Sequence, residues 1–459
     1  MFMLVAISDL HITDERTAIN VPQSAFDILE REIIGNAADR KANEIHLVLL
    51  GDIFDLVRTD YWHRKTRDGT LPAARRPWNG KLSTSTAMNP DPGVEQQFRE
   101  ILADILSKEG AQSLLEMIQH LHAAGLPFRV TYVVGNHDRV LHNFPALQAA
   151  IRDAMPGVPL AFAPSVREPR YGLIARHGHE WDPNCHGWTF HNEVLERGHP
   201  TGQFDEATYR VMAIGEVVTA ELMSGIVFRF AEAAGTSPTA AAVVARLKDL
   251  NNLRPILNVF QWLDWFAGNE ARKFYPLLHS ALKQSLDGVV ESALARRWDE
   301  LKGHILPGTG DLIDHLEDIR RYAIGRNMDE FRGRVHAALP AINLLSGGEK
   351  DRYLEGAIKE MRQEDDPAFQ FILYGHTHVA RQEYLTGELD GRGRIYVNTG
   401  TYLPLIALAR DGRTFGSAKQ MTMTFAYGED EDTDGKAGGP SLDVWAGIRR
   451  KQYVAGRGD

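Results

Sequence analysis

Phe2-Met3-Leu4-Val5-Ala6-Ile7-Ser8-Asp9-Leu10-His11 decides the reading of this chain: an apolar run of strand length ends in a polar Asp-x-His. The same grammar recurs four times. Apolar runs at 45–50, 129–134, 172–176 and 371–374 lead into Gly51-Asp52, Gly135-Asn136-His137-Asp138, His177-Gly178-His179 and Gly375-His376-Thr377-His378. If these runs are strands, all five polar signatures can meet at one sheet edge. Further strand-like runs at 394–398, 403–409 and 421–427 suggest a second sheet that completes a sandwich.

Between the first four runs lie helical patterns, at 25–38 and at 94–124 with a break near Gly110, so the expected class is α/β. From 193 to 362 the strand signal disappears and successive helices follow, for example 206–234, 240–250, 256–272, 277–301 and 312–323. The expected organisation is a catalytic core in two parts, 1–192 and 363–428, interrupted by a helical insertion at 193–362. The acidic, Gly-rich stretch from 429 and the tail to 459 read as flexible. Because the insertion leaves and rejoins the core between the fourth and fifth signatures, it is expected to cap the site. A dimerisation domain is the alternative, since Phe260, Trp262, Leu263, Trp265 and Phe266 could be core or interface.

Composition narrows the class. A chain of 459 residues with 43% hydrophobic and 24% charged residues fits a globular protein, and a formal charge of −10 argues against a surface that coats nucleic acid throughout. Cys185 is the only cysteine, so no intramolecular disulfide is possible and the cytoplasm is the default compartment. The first residues run straight into Asp9, which leaves no space for a targeting segment. The most apolar stretch, 214–230, carries Glu216, Glu221 and Arg229, so no transmembrane segment is expected. One local basic patch stands out: 58–81 holds seven Lys and Arg against Asp60 and Asp68, with Tyr61, Trp62 and Trp78 interleaved.

The polar signatures together suit a pair of divalent cations. Two such ions about 3.5–4 Å apart bind phosphoryl oxygens, lower the pKa of a shared water and stabilise an in-line displacement. The candidate ligands are Asp9, His11, Asp52, Asn136, His177, His376 and His378, a mixture of carboxylate, imidazole and amide oxygen that favours Mn, Fe or Zn over Mg or Ca. A lone Gly-Asp or His-x-His means little. All five signatures in this order, each at a strand end, are another matter.

These residues resemble the calcineurin-like metallophosphoesterase superfamily, whose pattern is Asp-x-His, Gly-Asp-x-x-Asp, Gly-Asn-His-Asp/Glu, His and Gly-His-x-His. The resemblance covers the first 180 residues and roughly 369–402. It implies one metal on Asp9, His11 and His378, a second on Asn136, His177 and His376, and Asp52 between them. It also implies His137 as the group that protonates the leaving oxygen, with Asp138 orienting its ring. Asp55 would support a ligand histidine from behind, or else cap a helix. Either histidine of His177-Gly178-His179 could be the ligand; His177 is preferred because it directly follows the strand, leaving His179 behind it or facing substrate. Asn398-Thr399-Gly400-Thr401-Tyr402 could lie under the metals or be a plain turn.

The resemblance implies a metal-dependent phosphoric ester hydrolase acting on a phosphodiester, pyrophosphate or phosphomonoester, with a small-molecule or lipid-linked substrate favoured. A helical insertion in this place is similar to that of bacterial UDP-diacylglucosamine pyrophosphohydrolases. Here, however, the insertion is longer and His137 stands where those enzymes typically have arginine. Arg64, Lys65 and Arg67 are candidates for binding additional substrate phosphate, unless their loop is merely solvated. A nuclease is the alternative, because a basic and aromatic loop can track a nucleic-acid backbone and stack bases. A metal-binding scaffold without catalysis fits less well.

Overall fold

The computed structural model describes residues 2–65, 75–79, 92–190, 202–302, 312–335, 351–364, 366–386, 393–428 and 439–451. The architecture is mixed α/β, with two mixed sheets and a helical region over 208–299. The described strands are β1 (Phe2–Ile7), β2 (Glu44–Leu50), β3 (Phe128–Val133), β4 (Leu160–Ala163), β5 (Ser165–Glu168), β6 (Leu173–Arg176), β7 (Phe371–Tyr374), β8 (Arg381–Thr386), β9 (Arg394–Asn398), β10 (Pro404–Leu408), β11 (Phe415–Tyr427) and β12 (Ser441–Lys451).

The first sheet runs β10-β11-β1-β2-β3-β4, with β12 also on β11; the second runs β5-β6-β7-β9-β8, so the five signatures meet across two sheets rather than at the edge of one, and of the three later runs only β9 joins the second sheet while β10 and β11 extend the first. β1 to β4 pair in parallel, as do β6, β7 and β9, so the loops leaving β1, β2, β3, β6 and β7 emerge at carboxyl ends of parallel strands. Ligand sites in open α/β sheets form at such ends.

Period-two alternation sorts β1 between two cores. Met3, Val5 and Ile7 join the large cluster under the helices, while Leu4 and Ala6 join Val48, Leu50, Val133, Leu173, Ala175, Leu373 and Val397 in a core shared by both sheets. β1, β2, β3, β6 and β7 are buried on both faces and read as near-continuous apolar runs. Over the first sheet lie α1 (Gln23–Asp39), α2 (Pro92–Leu106), α3 (Glu109–Ala123) and α4 (Pro145–Asp153). In α1, burial of Ala25, Phe26, Leu29, Ile33 and Ala37 traces one stripe at about four-residue spacing. The expected break in the following helices falls at Ser107 and Lys108, just before Gly110.

The described part of 193–362 is largely helical; Ala357 and Met361 of the helix Arg352–Gln363 pack with the second sheet, whereas most of the buried apolar side chains up to Val335 join the same cluster as the first sheet. Phe260, Trp262, Leu263 and Phe266 are buried there, and Trp265 packs on Phe415, so this run is core rather than exposed interface. The helix Thr208–Ala234 is long and apolar enough to cross a membrane by length and composition, but 83% of its apolar window is buried within the protein. It is a core helix in this fold. The expected flexible tail is corrected at 441–451: β12 pairs with β11 over eleven residue positions.

Candidate metal centre

Among the described residues, five of the seven non-glycine residues with positive φ are Asp9, His11, Asp52, His376 and His378; the others are Glu15 and Lys41. Each such conformation costs on the order of 1–3 kcal/mol and persists only where surroundings enforce it. Here the enforcement is visible. The Asp9 N–H donates to Gly51 O at 3.1 Å and the His11 N–H to Asp52 O at 2.9 Å, so the loops after β1 and β2 lock together. Two glycines permit close approach: a Cβ at Gly135 would sit 2.3 Å from Asp52 Oδ1, and one at Gly375 would sit 2.5 Å from Asp9 Oδ2. The turn at 398–401 closes the loops from below. Thr399 Oγ1 lies 2.5 Å from Ser8 Oγ, Thr401 Oγ1 donates to Asp9 O at 2.7 Å, and Asn398 Nδ2 donates to Gly375 O at 2.6 Å.

Among the described residues four groups of potential ligand atoms result: Asp9 with His11 and His378, and Asp52 with His177 and His376, hold six of the expected ligands, while His11 with Asp55 and His137, and Asp182 with Cys185 and His376, lie beside them. In the first, His11 Nε2 faces His378 Nε2 at 2.9 Å, with Asp9 Oδ1 3.8 Å from the former and 3.5 Å from the latter. In the second, Asn136 Oδ1 lies 3.1 Å from His177 Nε2 and 3.0 Å from His376 Nδ1. Asp52 Oδ2 stands between the groups, 3.2 Å from His177 Nε2 and 3.7 Å from His11 Nε2. All seven expected ligands therefore meet, and His177 rather than His179 is the one against Asp52. His179 is buried next to it, with ring centroids 5.3 Å apart.

The donor set could hold metal ions. Imidazole nitrogens converge with carboxylate and amide oxygens, an arrangement whose lone pairs need a positive partner when buried. Three of the four rings are backed by an acceptor, as is common for metal-binding histidines, while His378 Nδ1 faces Arg254. His11 Nδ1 lies 2.8 Å from Asp55 Oδ2, His177 Nδ1 lies 2.9 Å from Leu50 O, and His376 Nε2 lies 3.3 Å from Asp182 Oδ2.

Charges within the centre shift one another strongly. Burial alone would raise Asp52, but the His177 and His137 imidazoles hold its carboxyl well below the usual range. Burial works against a charged His177, yet Asp52 and then Asp9 push it up to about 10. His378 is driven down by burial, by Arg254 and by His11. Asp182, despite burial, is held to about 2 by His376.

The expected role of Asp138 is corrected. Its carboxylate accepts from Tyr132 Oη at 2.6 Å, Ile53 N at 3.0 Å and Gly135 N at 2.5 Å, which fixes the turn after β3. The carboxylate beside His137 is Asp55, with Oδ2 2.9 Å from His137 Nδ1. Asp55 is also the local cap, since Oδ1 accepts from Val57 N at 3.0 Å and Arg58 N at 2.9 Å. No helix begins at Asp55, so this is a turn cap rather than the helix cap of the sequence reading.

The basic segment differs from expectation. Arg64 pairs with Asp60 at 2.9 Å and lies over Tyr61, Lys65 is exposed, and Arg67 falls outside the described residues. Trp62 and Trp78 are buried against each other, and Arg76 is bound to the buried Glu221 at 2.8 Å. None of these aromatic rings is an open platform for a base.

Four residues at or beside the centre escaped the sequence reading. Asp182 was visible only as part of a polar turn, and Arg58 as one of many basic residues. Arg139 follows Asp138 directly; its guanidinium pairs with Glu216 at 2.6 Å, tying the helical region to the loop that carries Asn136. Arg254 comes from the helical region and places Nη2 2.9 Å from His378 Nδ1 and 2.8 Å from Nε2. No signal in the sequence marks it. No protein-family model matches the chain, and no curated protein sequence matches it either. The functional reading therefore rests on the residues themselves.

Proposed function

We propose that the chain is a dinuclear metal-dependent phosphoesterase with the sandwich fold and motif order of the calcineurin-like metallophosphoesterases. The observation that carries this reading is Asp52, one carboxylate oxygen of which lies between two buried groups of cation-binding atoms. Asp9, His11 and His378 would hold one ion, Asn136, His177 and His376 the other, and Asp52 would serve both. Mn, Fe and Zn suit these donors. Such a pair, when bound, polarises phosphoryl oxygens, activates water and stabilises in-line displacement.

The remaining roles fall to the chain. Asp55 keeps the His11 ring turned so that Nε2 points into the centre. With its Nδ1 against Asp55, His137 has Nε2 left to pass a proton to the leaving oxygen. The helical region acts as a cap, a role supported by the Arg139–Glu216 pair and by Arg254 at His378. A phosphoester of a small molecule or lipid, encountered in the cytoplasm, is the substrate class we favour. The nuclease alternative loses support because Trp62 and Trp78 are core residues.

Elemental analysis of the purified protein, with assays on chromogenic phosphate mono- and diesters in added Mn, tests the proposal. We expect close to two transition-metal ions per chain and loss of hydrolysis in excess chelator. No stoichiometric metal, together with activity indifferent to chelator, would refute it.

A further inference from the structure

Apolar side chains that metal chemistry does not require border the loops around His376. Among the described residues five large apolar side chains are exposed, and two of them, Phe204 and Val379, belong to this border. Val379 directly follows His378 and is 47% exposed, while Phe204 packs edge-on against Trp181, the neighbour of Asp182, with ring centroids 5.7 Å apart. Tyr353 is partly exposed beside the same histidine, its ring centroid 5.7 Å from that of His376.

The border is rigidly held. Asp351 caps the helix Arg352–Gln363 by accepting from Leu354 N at 3.0 Å, and it pairs with Arg381, the first residue of β8. The helix start that carries Tyr353 is thereby tied to the strand that follows Val379. One turn on, a Cβ at Gly356 would sit 2.3 Å from Trp181 Cδ2, and the buried Glu360 accepts from Arg176 Nε at 2.8 Å and Tyr374 Oη at 2.9 Å. Tyr353 Oη donates to Asp182 Oδ2 at 3.1 Å, and the Val379 N–H donates to Thr377 Oγ1 at 3.2 Å. Ordered aromatic and apolar groups of this kind bind with little loss of conformational freedom.

The border also has a side. His137 stands at the other ligand group, its ring centroid 4.8 Å from that of His11 and its Nδ1 2.9 Å from Asp55 Oδ2. A leaving oxygen that takes its proton from His137 departs near His11, whereas Tyr353 and Val379 stand at His376. In an in-line displacement the departing group and the groups that stay occupy different positions around phosphorus, so an apolar surface at His376 meets a group that stays.

Resting on the phosphoesterase reading above, we propose that Tyr353 and Val379 bind an apolar, ring-sized substituent that remains on phosphorus after cleavage. The substrate class is then a phosphodiester with an apolar retained group. Covering the exposed faces of Tyr353 and Val379 removes apolar surface from water on both partners, which a methyl group or a bare phosphoryl oxygen cannot do to the same extent.

The test uses methyl 4-nitrophenyl phosphate and phenyl 4-nitrophenyl phosphate, which share leaving group and charge and differ in the retained group. Rates, corrected for the uncatalysed reactions, are measured on the Mn-loaded full chain and on Tyr353→Phe, Tyr353→Ala and Val379→Ser, each after elemental analysis. In the unaltered protein we expect kcat/KM to favour the phenyl ester about 10–30-fold, as burial of most of a phenyl face implies. Tyr353→Phe keeps the ring and should keep the preference, Tyr353→Ala should cut it to about threefold or less, and Val379→Ser should roughly halve it. Calorimetry with phenylphosphonate and methylphosphonate should show the same order of affinities and the same response to the variants. No preference for the phenyl ester in the unaltered protein would overturn the assignment. So would a preference unchanged in Tyr353→Ala, with both esters slowed equally, because Tyr353 would then only support Asp182. Val379 is exposed, so its variant decides the question if Tyr353→Ala does not fold. If neither ester is hydrolysed, the proposed function fails on its own, while the two phosphonate affinities still decide whether the border binds an apolar group.

Discussion

Replacing Asp55 with asparagine should weaken one cation site and spare the other. Asp55 Oδ1 accepts from two backbone N–H groups, and Oδ2 lies 2.8 Å from His11 Nδ1, 2.9 Å from His137 Nδ1 and 3.1 Å from Arg58 Nε. An amide has one oxygen for these two tasks. If that oxygen stays with the backbone, the amide NH2 faces His11 Nδ1 and forces the ring proton onto Nε2, the nitrogen that points at Asp9 and His378. The opposite flip sets NH2 against two buried N–H groups, which costs about 1–3 kcal/mol for each lost acceptor. The first orientation avoids that cost, so affinity at the Asp9, His11 and His378 site should fall about 10–100-fold, equivalent to about 1.4–2.8 kcal/mol.

The change also removes the charge that balances Arg58. Breaking a buried ion pair by deleting one partner costs about 3–5 kcal/mol, so folding must be verified by circular dichroism before binding is read. Titration of the metal-free protein with Mn or Zn against a chromophoric chelator would resolve two affinities. The refuting results are two unchanged affinities, or first loss of metal from the site built on Asn136, His177 and His376.

Two further predictions concern different parts of the molecule. His137→Ala should keep both metals yet slow hydrolysis of an ester with a poor leaving group by about 10²–10⁴, with a smaller effect on an activated aryl ester; equal losses accompanied by falling metal content would make His137 a ligand. His46, packed between β2 and β3 with Nε2 2.8 Å from Thr131 Oγ1, is driven down to about 3 by burial and then by Arg129. Its neutral form is the one the fold favours, so its contribution is complete above the unfolded pKa of about 6.5 and is lost as pH falls toward about 3. Between pH 6.5 and 5 that loss is roughly 2 kcal/mol, and His46→Gln should flatten the fall in urea midpoint over this range. An identical pH slope in both proteins would contradict the reading.

How far the sequence could be read depended on whether the signal was local. β1 and β7 fall where the apolar runs placed them, and β2, β3 and β6 are displaced by a residue at one or both ends. The seven candidate ligands were legible because each sits one to four residues beyond a buried strand. β12 was missed although Leu442, Val444, Ala446 and Ile448 alternate with Ser441, Asp443, Trp445, Gly447 and Arg449; proximity to an acidic, Gly-rich stretch outweighed that pattern. Asp138 was misassigned because adjacency to His137 suggested a pairing that the turn geometry gives to Asp55. Arg254 was beyond reach altogether, since a bridge between Leu253 and Ile406 brings it to His378 across more than a hundred residues of sequence.

That last contact bears on how the centre is divided between reaction and recognition. The ligands are carried by strand ends whose strained backbones are clamped by Gly51, Asp52 and the 398–401 turn, so their positions are set by the two sheets. The helical region reaches the same loops through Arg139–Glu216, through His63 Nε2 at 2.9 Å from Ala220 O, and through Arg254. Two of these are anchors, buried and satisfied within the protein. Arg254 ends on the imidazole of His378. The two sheets therefore set the positions of the ligand-type side chains, and the helical region is bound to the loops that carry them.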